Sequence, residues 1–247
     1  MALPLLAPDA ALFLDIDGTL IAFVPRPEDA RVPPALLAII AALQQALGGA
    51  LAAVSGRALA DVDRLFMPLK LAAAGQHGAE ARMTSGGAAQ ILASPQAALA
   101  AVLAAVQPHL AARPTIRVEH KGLSTAFHYR GAEREGPALR AALAAAVAPH
   151  DDTLQLLDSH LCFDVRPRVA NKGKVVERFM AAAPFVGRVP VFIGDDVTDE
   201  DGFAAVLALG GRAIRVGAER PTAATERLDS PAELRQWLER SATVLIG

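Results

Sequence analysis

The nine residues Leu12-Phe13-Leu14-Asp15-Ile16-Asp17-Gly18-Thr19-Leu20 constrain this chain more than any others. An unbroken apolar run stops at two aspartates one residue apart, with glycine and threonine behind them. A continuous apolar run predicts a strand buried on both faces, as in a parallel sheet covered by helices. Ligands of such sheets gather beyond the carboxyl ends of strands, so Asp15 and Asp17 are placed where chemistry is done. On an extended chain, side chains two residues apart point to the same side. The two carboxylates are therefore expected to act together.

The pattern repeats downstream. Ala35–Leu47 has helical spacing of apolar residues and stops at Gly48-Gly49; Ala50–Val54 is a short buried strand ending in Ser55-Gly56-Arg57. Ala58–Phe66 predicts a helix closed by Pro68, and Leu69–Ala74 a strand that runs into Gly75-Gln76-His77-Gly78-Ala79-Glu80. Strand and helix alternate, as in a doubly wound, mostly parallel α/β core. The rhythm then changes. Ser94 as cap and Pro95 at the first turn open an alanine-rich helix, two strand pairs (Thr115–Arg130, Leu154–Val165) follow, and a second helix spans Pro137–Val147. This stretch predicts an inserted α+β unit at 81–167, with the core at 1–80 and 168–247. The first rhythm resumes with a helix from Asn171-Lys172-Gly173 to Ala183, a strand at Val189–Ile193 ending in Gly194-Asp195-Asp196, a strand at Ala213–Val216, and a helix opened by the capping box Ser230-Pro231-Ala232-Glu233.

Composition excludes several partners. The formal net charge is -2, which argues against nucleic acid or an anionic membrane surface. No apolar run approaches the roughly 20 residues of a membrane span, and the N-terminus lacks the basic start of a signal peptide. A cytoplasmic protein is expected, with Cys162, the single cysteine, packed in a strand. Its oligomeric state is expected to be a monomer or a small homo-oligomer.

Two strand ends carry dense carboxylate: Asp15 with Asp17, and Asp195 with Asp196 and Asp199. Such charges repel and raise one another's pKa unless a cation shares the site, and hard oxygen donors suit Mg²⁺. A calcium EF-hand is excluded, because Leu20 and Arg26 stand where its loop needs glycine and glutamate. Ser55 and Gly56, just before a helix, favour a phosphate, and Lys172 supplies a full positive charge. No Walker sequence is present, so a nucleotide cradle is not expected. The set describes phosphoryl transfer.

Asp15-x-Asp17-Gly18-Thr19, Ser55-Gly56-Arg57, Asn171-Lys172-Gly173 and Gly194-Asp195-Asp196-x-Thr198-Asp199-Glu200-Asp201 resemble the ordered motifs of the haloacid dehalogenase superfamily. Gly75-x-His77-Gly78-x-Glu80, Val118-Glu119-x-Lys121, His128-Tyr129-Arg130 and Arg166-Pro167 narrow the resemblance to trehalose-6-phosphate phosphatases. The resemblance implies a Rossmann-like core, an α+β cap that closes over the crevice, and hydrolysis of a sugar phosphate with Mg²⁺. It implies Asp15 as nucleophile and Asp17 as general acid, then base. By the same resemblance Asp15, the Asp17 main-chain carbonyl and Asp195 hold the metal, with Asp199 behind them or an occasional ligand. Ser55, Gly56 and Lys172 would hold the phosphoryl group. Glu119, Lys121, Arg130 and Asp164 would hold the sugar, the last standing where the family usually has glutamate. Related phosphatases for sucrose phosphate or mannosylglycerate phosphate, a sugar phosphomutase, and a non-catalytic sensor share this plan and remain alternatives. His77 is expected to structure its loop, and Glu200 and Asp201 to be helix-start charges.

Overall fold

A computed structural model describes residues 3–247 apart from Pro25, Ala93, Ser94, His160 and Val169. The proposed Ser94 cap lies outside the described residues. In chain order the elements are β1 (Ala10–Leu14), α1 (Pro34–Ala46), β2 (Leu51–Val54), α2 (Leu59–Phe66), β3 (Ala72–Gly75), β4 (Glu80–Arg82), β5 (Gln90–Ile91), α3 (Gln96–Ala111), β6 (Arg117–His120) and β7 (Thr125–His128). They continue with α4 (Gly136–Val147), β8 (Leu154–Ser159), β9 (Cys162–Pro167), α5 (Lys172–Met180), β10 (Val189–Gly194), α6 (Glu200–Ala208), β11 (Arg212–Val216), β12 (Glu226–Leu228) and α7 (Pro231–Ile246). The chain forms two compact units, one of residues 1–90 with 171–247, the other of residues 91–170.

The first unit is built on an eight-stranded sheet ordered β12-β11-β10-β1-β2-β3-β4-β5. Every residue of β1 and β2 is buried, which is why both read as unbroken apolar runs. From β1 the chain adds parallel strands β2 and β3 on one side, and β10, β11 and β12 on the other. The winding direction therefore reverses between β1 and β10, and a crevice opens beyond their carboxyl ends. Leu14 pairs with Ile193, so Asp15 and Asp195 leave adjacent strands almost level. Phe13 anchors this centre, its ring 5.8 Å from Phe179 and 5.4 Å from Phe185. Helix α1 packs on α7, and α5 on α6. No helix among the described residues is long and apolar enough to cross a membrane.

Three sequence expectations shift. The sheet does not stop at Gly75: Glu80–Arg82 folds back antiparallel on β3, held by buried Arg82, which bonds the Leu71 carbonyl at 2.8 Å and forks onto Asp63. The first unit accordingly runs to residue 90, past the expected boundary at 81. The helix that begins at Lys172 ends at Met180 and not at Ala183, because Pro184 disfavours helical backbone at the residue before it. The strand expected from Leu69 begins at Ala72, since Leu69 N–H closes a turn onto the Phe66 carbonyl at 2.7 Å.

The second unit is a four-stranded antiparallel sheet, β6-β7-β9-β8, with α3 and α4. Its core joins Leu99, Val102 and Val106 of α3 and Leu139 and Leu143 of α4 to Phe127, Phe163 and Val165 of the sheet. The alternate residues of the strands (Glu119, Ala126, His128, Cys162, Asp164) share the other face. That face is where the sequence put the sugar contacts.

Candidate active site

The crevice is organised by a buried ion cluster. Lys172, the first residue of α5 and only 2% exposed, donates from Nζ to Asp15 Oδ1 at 2.7 Å and to Asp199 Oδ1 at 2.5 Å. The Thr19 hydroxyl lies 3.0 Å from Asp15 Oδ2 and 2.8 Å from Asp195 Oδ1, so one hydroxyl sits between two carboxylates. Asp199 uses its other oxygen to accept the main-chain N–H groups of Asp195, at 3.0 Å, and Asp196, at 2.9 Å. Asp199 is thereby fixed by the protein itself. It holds the loop after β10 and the ammonium of Lys172 in one place.

Glycine makes this closeness possible at two points. Gly18 turns the chain with φ +86°, and a Cβ there would lie 2.2 Å from Asp195 Oδ2. Gly173 lets α5 approach the start of α6, where a Cβ would lie 2.4 Å from the Asp201 carbonyl oxygen. Both residues were legible as motif glycines, and both are required by contact with the acidic cluster or its support.

The electrostatics are those of a site with excess negative charge. Burial raises the Asp15 pKa; Lys172 pulls it down, Asp199 and Asp195 push it up, and the result stands well above the usual carboxylate range. Asp195 is pushed up to about 6 by burial and then by Asp199, against the hydrogen bond from Thr19. Burial alone would lower Lys172, but Asp15 and Asp199 more than offset it and hold the ammonium charged. Asp15, Asp195 and Asp199 each offer an oxygen, all within 4.8 Å of one another. Three carboxylates face one ammonium, and the donors are all oxygen. The residues present therefore fit a small hard divalent cation such as Mg²⁺.

Asp17 does not join this cluster. Strand β1 ends at Leu14, and beyond it the Asp15 and Asp17 carboxylates take different partners. The Asp17 carboxylate instead faces Arg57, which forks onto it from Nε at 2.6 Å and Nη2 at 2.7 Å. Arg57 also bonds the Pro27 carbonyl at 3.0 Å. Sequence reasoning quoted Arg57 in a motif but gave it no role, because a pairing across 40 residues leaves no local signal. Arg220 was missed too; its Nη2 donates to the Asp195 carbonyl at 2.8 Å.

The Ser55-Gly56-Arg57 loop is held by its neighbour. Gln76 N–H donates to the Arg57 carbonyl at 2.8 Å and His77 N–H to the Ser55 carbonyl at 2.9 Å. Gln76 and His77 adopt φ of 48° and 58°, a left-handed pair uncommon outside glycine. The His77 ring lies against Gly56, where a Cβ would come within 2.7 Å of it. Glu80 accepts from Leu59 N–H at 2.9 Å and Gln76 Nε2 at 3.0 Å, which caps the start of α2. His77 thus shapes its loop, as expected. Ser55 is buried and its hydroxyl accepts the Arg57 N–H at 3.2 Å.

On the open face of the second unit, Glu119 Oε2 lies 2.8 Å from His128 Nε2. Lys121 Nζ lies 3.5 Å from Asp164 Oδ1, and Ser159 donates to Asp164 Oδ2 at 3.3 Å. Glu119, Lys121 and Asp164 therefore belong to one polar surface, while Arg130 is exposed in the turn after β7. Cys162 is buried in β9 with its thiol pushed up to about 12, chiefly by burial, which fits packing and not reactivity.

A family model described as trehalose-phosphatase matches residues 13–232. A trehalose-6-phosphate phosphatase of Escherichia coli (strain K12) is 37% identical over 242 residues, covering 98% of this chain and 90% of the relative. A probable trehalose-phosphate phosphatase of Sinorhizobium fredii is 39% identical over 220 residues, covering 89% and 82%. Among solved structures, a trehalose-6-phosphate phosphatase related protein superposes with TM-score 0.78 at 23% identity, covering 95% of this chain and 98% of that one. The C-terminal domain of a Candida albicans trehalose-6-phosphate phosphatase gives TM-score 0.80 at 19% identity, covering 96% and 92%. At such identities the two superpositions speak for the fold.

Proposed function

Given that the chain belongs to the trehalose-phosphatase family of phosphoric monoester hydrolases, we propose that it hydrolyses trehalose 6-phosphate to trehalose and phosphate through an aspartyl-phosphate on Asp15, with Mg²⁺ as cofactor. The observation that carries the reading is the buried Asp15–Lys172–Asp199 cluster beside Asp195, at the point where the sheet reverses. Bound Mg²⁺ would be held by Asp15, Asp195 and the Asp17 main-chain carbonyl, and would neutralise charge on the phosphoryl oxygens. Asp199, with both oxygens engaged, positions Lys172 and the loop.

In the first step an Asp15 oxygen attacks phosphorus and the bond from phosphorus to the sugar oxygen breaks. Asp17 delivers a proton to that leaving oxygen. In the second step water attacks the phosphorus, Asp17 takes its proton, and the bond to Asp15 breaks to release phosphate. Lys172 pulls the Asp15 carboxyl back down against its burial and, with Ser55 and the Gly56 amide, holds the phosphoryl oxygens. The Arg57 fork sets where Asp17 waits. The second unit acts as the cap, and its polar face supplies Glu119, Lys121 and Asp164 to sugar hydroxyls, with Arg130 at its edge. Asp164 is a methylene shorter than the glutamate usual in the family, and Ser159 and Lys121 fix its position.

A panel of sugar phosphates assayed with Mg²⁺ and with a chelator tests the proposal. Trehalose 6-phosphate should be turned over far faster than the rest, and chelation should abolish release of phosphate. Comparable turnover of sucrose phosphate or mannosylglycerate phosphate would remove the trehalose assignment, and metal-independent turnover would remove Mg²⁺.

A further inference from the structure

The polar face of the four-stranded sheet holds a residue that sequence reasoning quoted in a motif without giving it a role. In the β6–β7 ladder Glu119 stands opposite Ala126 and Arg117 opposite His128, so His128 is the diagonal neighbour of Glu119 on the same face. The diagonal is closed by the 2.8 Å contact between His128 Nε2 and Glu119 Oε2. Ala126 is fully buried and pairs on its other side with Asp164, so the two carboxylates flank an alanine floor. His128 and Lys121 engage one carboxylate each, His128 at Glu119 and Lys121 at Asp164.

This contact lies outside the hydrophobic core. His128 lies on the face away from the α3–α4 core, whereas its neighbours Phe127 and Tyr129 belong to that core. Both partners are partly exposed, 28% for the His128 side chain and 30% for Glu119, and exposed ion pairs contribute little to folding. A glutamate has several rotamers, and a carboxylate that must meet one hydroxyl loses affinity when it samples them all. The histidine removes that freedom. It also holds the Glu119 carboxyl below its usual range, more than burial raises it, with Lys121 and Arg117 adding to the effect.

We propose that His128 is a positioning residue for sugar recognition: its Nε2–H holds Glu119 Oε2 and so directs Oε1 to an incoming hydroxyl. The inference rests on the reading of this face as the sugar-binding surface. It assigns His128 no contact with the phosphoryl group and no proton transfer.

The test compares His128→Phe, His128→Gln and Glu119→Gln in the full-length protein on trehalose 6-phosphate and on para-nitrophenyl phosphate, which carries no sugar. His128→Phe keeps a ring but removes the donor, and should raise KM for trehalose 6-phosphate about tenfold while kcat changes by less than about threefold. The loss in kcat/KM should exceed the loss on the aryl phosphate by about fivefold or more. His128→Gln supplies an N–H donor again and should recover most of the affinity. Equal losses on both substrates, or a glutamine variant no better than phenylalanine, would overturn the positioning role. If Glu119→Gln raises KM but His128→Phe does not, only this inference falls. If Glu119→Gln changes nothing, the reading of the face as sugar-binding falls with it.

Discussion

Replacing Lys172 by methionine keeps an unbranched side chain one atom shorter and removes one buried charge. In the folded protein that ammonium is 2% exposed and donates to Asp15 at 2.7 Å and Asp199 at 2.5 Å. Removing one member of a buried ion cluster costs about 3–5 kcal/mol, because the remaining charges lose their partner in a place water does not reach. For a chain of this size about 1 kcal/mol lowers Tm by about 2–4 °C, so the metal-free variant should melt about 6–20 °C below wild type near neutral pH. The loss must depend on pH. Lys172 pulls the Asp15 carboxyl down, so without it a folded-state pKa already well above the unfolded value of about 3.9 rises further. A raised folded pKa gives a contribution that is whole below the unfolded pKa and lost as pH climbs through the folded one. The deficit should therefore be smaller at about pH 4.5 than at about pH 7.5. Thermal unfolding of both proteins in chelator at the two pH values reads this directly. A variant that melts with wild type near neutral pH, or a deficit that grows toward acid, would refute the electrostatic argument.

Gly18→Ala should weaken Mg²⁺ binding by about tenfold or more, because a Cβ 2.2 Å from Asp195 Oδ2 must push that carboxylate away; titration calorimetry with Mg²⁺ checks this, and an unchanged affinity would remove Asp195 from the metal site. Since Asp195 is raised to about 6, Mg²⁺ competes with a proton there, so the rise in Tm on adding Mg²⁺ should shrink as pH falls through about 6. A constant increment from neutral to acid pH would contradict that competition. Arg57→Lys replaces a two-pronged contact on Asp17 by a single one and should lower kcat on the sugar phosphate by about tenfold in steady-state kinetics; full activity would show that the fork does not set the Asp17 position.

What the sequence disclosed follows from what local pattern can encode. Leu12–Leu14 and Val191–Ile193 announced their strands because both faces of each are buried, and the aspartates behind them announced the crevice. Glu80–Arg82 escaped notice because its only large buried side chain is an arginine, whose partners Asp63 and Leu71 lie elsewhere in the chain. Strand β12 is three residues long, and two of them are charged; Glu226 is matched by Arg212 on the next strand. The capping box of α7 was legible, yet Glu233 reaches the Asp229 amide while Ser230 accepts from Glu233 N–H. At the site, residue types and spacing gave the acidic cluster and its lysine. They could not give Arg57 on Asp17 or His128 on Glu119, which are matters of register between distant strands and loops. Glu119 and Lys121, two residues apart on one face, make their side-chain contacts across the sheet, with His128 and Asp164.

The covalent step is the core of the account, and trapping it is the most direct measurement. Metal-loaded protein should be mixed with trehalose 6-phosphate labelled at phosphorus, quenched in acid within the first turnover, and cut into peptides. The label should reside on Asp15 and be released by hydroxylamine, as an acyl phosphate is, and Asp15→Asn should carry none and release no phosphate. Turnover by the asparagine variant, or label found on another residue, would contradict the account.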